Sequence, residues 1–165
     1  MMAQTHFWGG VIAGTAGAVL VGTPEPVVVG VIAGAAALIP DIDIPDSKIT
    51  KLRGLRWISH PLSVVINKLG GHRGVFHTPL LYAVLALIMA TADVPTWLIQ
   101  SFLFGTISHL ILDSMNPAGV PLFWPFSKKR FHFLNIKTDS FGEKLFLFTE
   151  QVSCCILLGY QMFFT

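Results

Sequence analysis

The chain has 165 residues, 53% of them hydrophobic and only 12% charged, with a formal net charge of +2. Soluble domains carry about 25% charged residues, so this composition excludes an ordinary water-facing surface. The length suits one domain over residues 1–165. The expectation is an all-α, polytopic membrane protein.

Five apolar runs follow in chain order. The first, Phe7 to Gly22, contains Gly9, Gly10, Gly14 and Gly17. No basic residue precedes it, so it reads as a helix and not as a cleaved leader. The second runs from Pro26 to Pro40 with Gly30 and Gly34, and small residues at such spacing suit close helix packing. The third covers Pro79 to Ala92, the fourth Val94 to Leu112, the fifth Leu145 to Thr165. A membrane span needs about 20 apolar residues. The last two runs reach that length and the first three, at roughly 14 to 16, fall short of it. Cys154 and Cys155 are neighbours inside the fifth run and read as small apolar side chains, not a disulfide framework.

Charge placement sharpens the reading. All eleven Lys and Arg lie between Lys48 and Arg73 or between Lys128 and Lys144. The turns after the first and third runs hold only Glu25 and Asp93. If the helices alternate in direction, both basic segments fall on one face, which the positive-inside rule makes cytoplasmic. The expected topology then has the N-terminus in the cytoplasm and the C-terminus outside.

On that topology the ionisable groups gather. His6 opens the first run; Asp41 and Asp43 follow the second in "IPDIDIPDS"; His72 and His77 lead into the third in "GHRGVFHTP"; His109 and Asp113 close the fourth. His109 and Asp113 are one helical turn apart on one face. Imidazole and carboxylate together are ligand chemistry for Zn, Mn or Fe, and a cation offsets the cost of bringing carboxylates together. Each group also has a plainer reading: Asp41 as a turn residue, His77 as a helix anchor, His109 with Asp113 as a buried ion pair. Arg73, between glycines, suits bidentate capture of a phosphate or simple anchoring. His60 and His132 read as loop residues. Glu150 lies about two turns into the last run, deep enough to support the cluster from behind. Trp124, Phe126, Lys128, Lys129 and Arg130 look like an interfacial anchor. No domain is available to dock nucleic acid, so none is expected as a partner.

The set "THFWGG", "IPDIDIPDS", "HRGVFHTPLL" and "GTISHLILDSMNPAGVPLFWPFS" resembles the YdjM-like family of membrane-bound metal-dependent hydrolases, over residues 5 to about 127. The resemblance implies roles for His6, Asp41, Asp43, His72, Arg73, His77, His109 and Asp113. One departure stands out: Phe76 occupies a place where the family has Thr, so that hydroxyl is lost. The family is in turn distantly similar to zinc-dependent phospholipases C and related nucleases. With only one H-x-x-x-D pair in the chain, one or two ions are expected, zinc first.

The expectation is therefore a membrane-bound, metal-dependent hydrolase of the inner (plasma) membrane, acting on a phosphoester of a lipid or lipid-linked substrate at the cytoplasmic leaflet. His6, Asp41, Asp43, His77, His109 and Asp113 would hold metal; His72 would move a proton and Arg73 would hold negative charge. Two other classes remain open: a structural or regulatory membrane protein tied together by a metal, and a component of a metal-ion transporter. A transporter would carry polar groups near the midplane, where only Glu150 is charged.

Overall fold

The computed structural model describes residues 1–43 and 74–164. Within them the regular structure is helical, apart from one isolated antiparallel bridge between Val120 and Phe131. Helix α1 covers Ala3–Val21. It stops at Gly22, whose φ of 69° lets the chain turn so that the Thr23 N–H donates to the Ala18 carbonyl at 2.8 Å. Pro26 opens α2 (Pro26–Ala36), where its missing N–H has no helical partner to lose. A 3-10 turn, Ile39–Asp43, follows. A second 3-10 turn, Val75–His77, leads into α3 (Pro79–Thr91), again opened by proline. Helix α4 covers Thr96–Ser114 and α5 Phe141–Phe164.

Helices α1, α2 and α4 pack on one another, α5 lies against α1, and α3 against α4. Small residues allow this. A Cβ on Gly14 of α1 would lie 2.5 Å from the Ala33 Cβ, and one on Gly105 of α4 would lie 2.1 Å from the Ala33 carbonyl oxygen. The backbone of α2 therefore sits directly against both neighbours. The buried interior between them is correspondingly small-sided: Ala18, Val29, Ala33, Ala36 and Ala37. A second cluster, Tyr82, Leu110 and Val120, joins α3 and α4 to the loop that follows.

Side chains cap the start of α5. Ser140 Oγ accepts from the Glu143 N–H at 3.3 Å, and Glu143 Oε2 accepts from the Asp139 N–H at 2.6 Å. Glu143 Oε1 also accepts from the Met2 N–H at 2.6 Å and from the Thr5 hydroxyl at 3.3 Å. One buried carboxylate thus satisfies donors at the N-termini of both α5 and α1, ends that each leave backbone N–H groups without helical partners.

The five expected helices are present, but the polytopic membrane architecture is not: among the described residues no helix is long and apolar enough to cross a membrane. Two causes are visible. Helices α2 and α3 have 11 and 13 residues, which at 1.5 Å per residue is about 17 and 20 Å, against a hydrocarbon core of about 30 Å. The longer helices are diluted by polar residues: Gln100, Ser101, Thr106, Ser108, His109 and Asp113 in α4, and Glu143, Lys144, Glu150, Gln151 and Gln161 in α5. The alternating topology that fixed the N-terminus inside and the C-terminus outside loses its spans.

Candidate metal centre

The C-terminal end of α4 and the two 3-10 turns meet at one place. Helix α4 brings His109 and Asp113, the turn after α2 brings Asp41, and the turn before α3 brings His77. Each offers one ligand atom, and the four atoms lie within 4.8 Å of one another. His77 Nε2 is 3.4 Å from His109 Nε2 and 3.5 Å from Asp113 Oδ2. Asp41 Oδ1 is 3.8 Å from both imidazole Nε2 atoms, and His109 Nε2 is 3.8 Å from Asp113 Oδ2.

His109 is oriented by the fold. Its Nδ1 lies 2.7 Å from the Ala37 carbonyl. That carbonyl can only accept, so Nδ1 carries the proton and Nε2 turns its lone pair to the centre. The bond depends on the close approach of α4 to α2 at Gly105, one turn before His109. Burial, and then the neighbouring His6, hold the His109 pKa well below the usual imidazole value, so the ring is neutral near pH 7 and free to ligate. Burial alone would raise the Asp113 pKa, but the imidazoles of His6 and His77 beside it hold the carboxyl well below the usual range.

His6 lies outside the four-atom group. Its Nε2 is 3.2 Å from the other Asp113 oxygen, Oδ1, and its ring stacks on His109 at a centroid distance of 3.8 Å. The Met1 ammonium also reaches Asp113 Oδ1, at 2.8 Å. Asp43 ends the 3-10 turn beside Asp41, and its side chain lies outside the described residues, as do His72 and Arg73. Glu150 is buried against α1 and α4, where a Cβ on Gly9 would lie 2.9 Å from its Oε1 and 2.6 Å from Leu112 Cδ1. Its Oε2 has no hydrogen bond, and burial, then Glu143, push its pKa up to about 8. Glu150 therefore borders Leu112, the residue before Asp113. Glu143 is marked in the sequence only by Ser140-x-x-Glu143 ahead of an apolar run, the residue pattern of a capping box.

The donor set fits a divalent cation. Ligand atoms about 2.1 Å from a tetrahedral ion are about 3.4 Å apart, close to the 3.4 to 3.8 Å spacings cited above. His77 Nδ1 is buried without a hydrogen-bond partner. Two imidazole nitrogens and two carboxylates facing one point match the mixed nitrogen and oxygen ligand chemistry of a divalent cation. Asp41 is 16% exposed while the other three side chains are at 0%, so the centre opens at Asp41.

Comparison with known proteins gives the lineage. The chain is 31% identical over 163 residues, 99% of its length and 97% of the relative's, to a Bacillus subtilis (strain 168) protein described as uncharacterized protein YvsG. It is 38% identical over 93 residues to the inner membrane protein YdjM of Escherichia coli (strain K12) and to that of Shigella flexneri. Those alignments cover 53% of this chain and 44% of each relative, so the match spans less than half of the YdjM proteins. No solved structure matches. The family described as YdjM inner membrane protein matches residues 1–164, which supports a membrane location. By sequence, then, this chain belongs to the YdjM inner membrane protein family.

Proposed function

We propose that the protein is a metal-dependent hydrolase of the inner membrane that cleaves a phosphoester of a lipid or lipid-linked substrate at the cytoplasmic leaflet. The observation that carries the reading is the convergence of Asp41, His77, His109 and Asp113 from three separate elements. The mixed nitrogen and oxygen donors suit zinc first, then manganese or iron, as one ion on the four donors or two with His6 taking part. When bound, the cation supplies Lewis-acid polarisation of a phosphoryl oxygen.

The chain's own groups do the rest. Asp41 stands at the open side, where substrate enters. The Ala37 carbonyl holds His109 in one tautomer. His72 moves the proton, and the Arg73 guanidinium, which stays protonated and cannot ligate metal, holds phosphate charge. The test is a screen of phosphoester and ester head groups with zinc or manganese supplied. Turnover that requires metal, and that drops about 10–100-fold in Arg73→Lys through loss of one charge-assisted hydrogen bond, supports the reading. Turnover independent of metal contradicts it.

A second reading is favoured by the near-complete burial of three of the four donors: a structural metal that ties α4 to the two turns, since structural zinc sites are closed by four ligands. In that case metal removal lowers thermal stability sharply and no substrate is turned over.

A further inference from the structure

The loop between α4 and α5 supplies none of the four donors, yet its surface chemistry is distinctive. Between Met115 and Thr138 it contains no Asp or Glu, while it carries Lys128, Lys129, Arg130 and Lys137. Interleaved with these are aromatic side chains turned outward: Phe126 is 88% exposed, Phe123 69%, and Phe131 and Phe133 about half. Large aromatic groups beside cations are costly in water and suited to a bilayer interface, where rings lie at head-group level and cations meet anionic phosphates.

The loop is also held in place. Val120 and Phe131 exchange both backbone hydrogen bonds at 2.9 Å, the Phe133 N–H donates to the Ser114 carbonyl at 3.0 Å, and the Ile136 N–H donates to the Met115 carbonyl at 3.0 Å. The Asn116 amide donates to the Ile136 carbonyl at 3.2 Å and the Thr78 hydroxyl to the Trp124 carbonyl at 3.1 Å. These anchors are the residues directly after Asp113 and directly after His77. The rings are therefore presented from a fixed platform whose footings adjoin two donors of the centre.

We propose that the Phe123–Phe133 loop is a docking surface for an anionic phospholipid leaflet, with Phe123, Phe126, Phe131 and Phe133 seated among the head groups and Lys128, Lys129 and Arg130 on lipid phosphates. Charge complementarity selects the occupant: a cationic surface without a single carboxylate meets a negative leaflet. The surface stands whether or not the centre is catalytic.

The test uses the full chain carrying an environment-sensitive fluorophore at Ser127→Cys in a Cys155→Ser background, reconstituted in vesicles of phosphatidylglycerol or of phosphatidylcholine. In phosphatidylglycerol a head-group nitroxide lipid should quench the label and aqueous iodide should not. In the triple variant Lys128→Gln, Lys129→Gln, Arg130→Gln the loop's preference for phosphatidylglycerol over phosphatidylcholine should fall by about 100-fold, since each basic side chain near an anionic leaflet contributes about five-fold. Raising salt on the unsubstituted loop should weaken the preference in the same direction, independent of how the variant folds. Free access of iodide in phosphatidylglycerol vesicles would overturn the proposal, as would an unchanged lipid preference in the triple variant. Protection that appears in detergent and grows with protein concentration would assign the surface to a second copy instead. Bound metal measured on the same samples separates this outcome from the fate of the centre.

Discussion

His109 faces the centre with one ring nitrogen and the Ala37 carbonyl with the other, so its substitution removes a ligand and an orienting bond together. His109→Ala should lower metal affinity by more than about 100-fold, beyond the 10–100-fold loss typical of removing an orienting partner alone; equilibrium dialysis against zinc measures it. Glu150 makes the opposite kind of prediction. Its carboxyl is buried and its pKa is raised to about 8 from an ordinary 4.5, so the fold favours the protonated form. Its contribution is fully present below pH 4.5 and is lost as pH rises through about 8. Glu150→Gln, which keeps the shape without the charge, should flatten that part of the stability-versus-pH profile. At pH 9 it should stabilise the protein by about 1–3 kcal/mol, the cost of an unsatisfied buried group, read by thermal melts at several pH values. The pairing of His109 with Asp113 was legible because four residues is one helical turn. The place of His6 was not: only the stacking of its ring on His109 sets it on the far oxygen of Asp113, and no sequence spacing encodes that.

Two contacts between helices hold the centre in register. At Gly105 the backbone of α4 meets the Ala33 carbonyl with no room for a Cβ. Gly105→Ala should push α4 off α2, costing about 1–3 kcal/mol as overpacking does, and should weaken metal binding although it touches no ligand. A melt and a metal titration on the same variant check both halves. At the other end, Glu143→Ala removes the acceptor shared by the N-termini of α1 and α5. Losing it should cost about 1–2 kcal/mol, the upper part of the range for helix caps, and chemical denaturation would show it. The sequence located the five helices because each is an apolar run bounded by Pro, Gly or a charged turn. It overstated their reach because composition does not report where helical hydrogen bonding ends. Helix α2 stops at Ala36 and gives way to the turn that carries Asp41, so residues counted toward a span instead build the site.

Among the described residues several polar groups are buried while many large apolar side chains are exposed. Leu20, Leu87, Ile156 and Phe163 are each more than 60% exposed, while His6, His77, His109, Asp113 and Glu143 are buried completely. Apolar patches of this kind mark a surface made for apolar surroundings, in keeping with the inner-membrane family to which the chain belongs. The protein should therefore fractionate with membranes and resist release by about 1 M salt, where the screening length is only about 3 Å, yet come off in mild detergent. Release by salt alone would mean that charge, not apolar area, carries the association. The proposed role of the centre requires its donors to hold a cation. The direct measurement is elemental analysis of detergent-purified protein beside an Asp113→Ala variant of equal folded content. The account predicts a divalent metal, zinc foremost, in the parent and its loss in the variant; a variant that keeps the parent's full metal content, or a parent that takes up none when zinc is supplied, would contradict it.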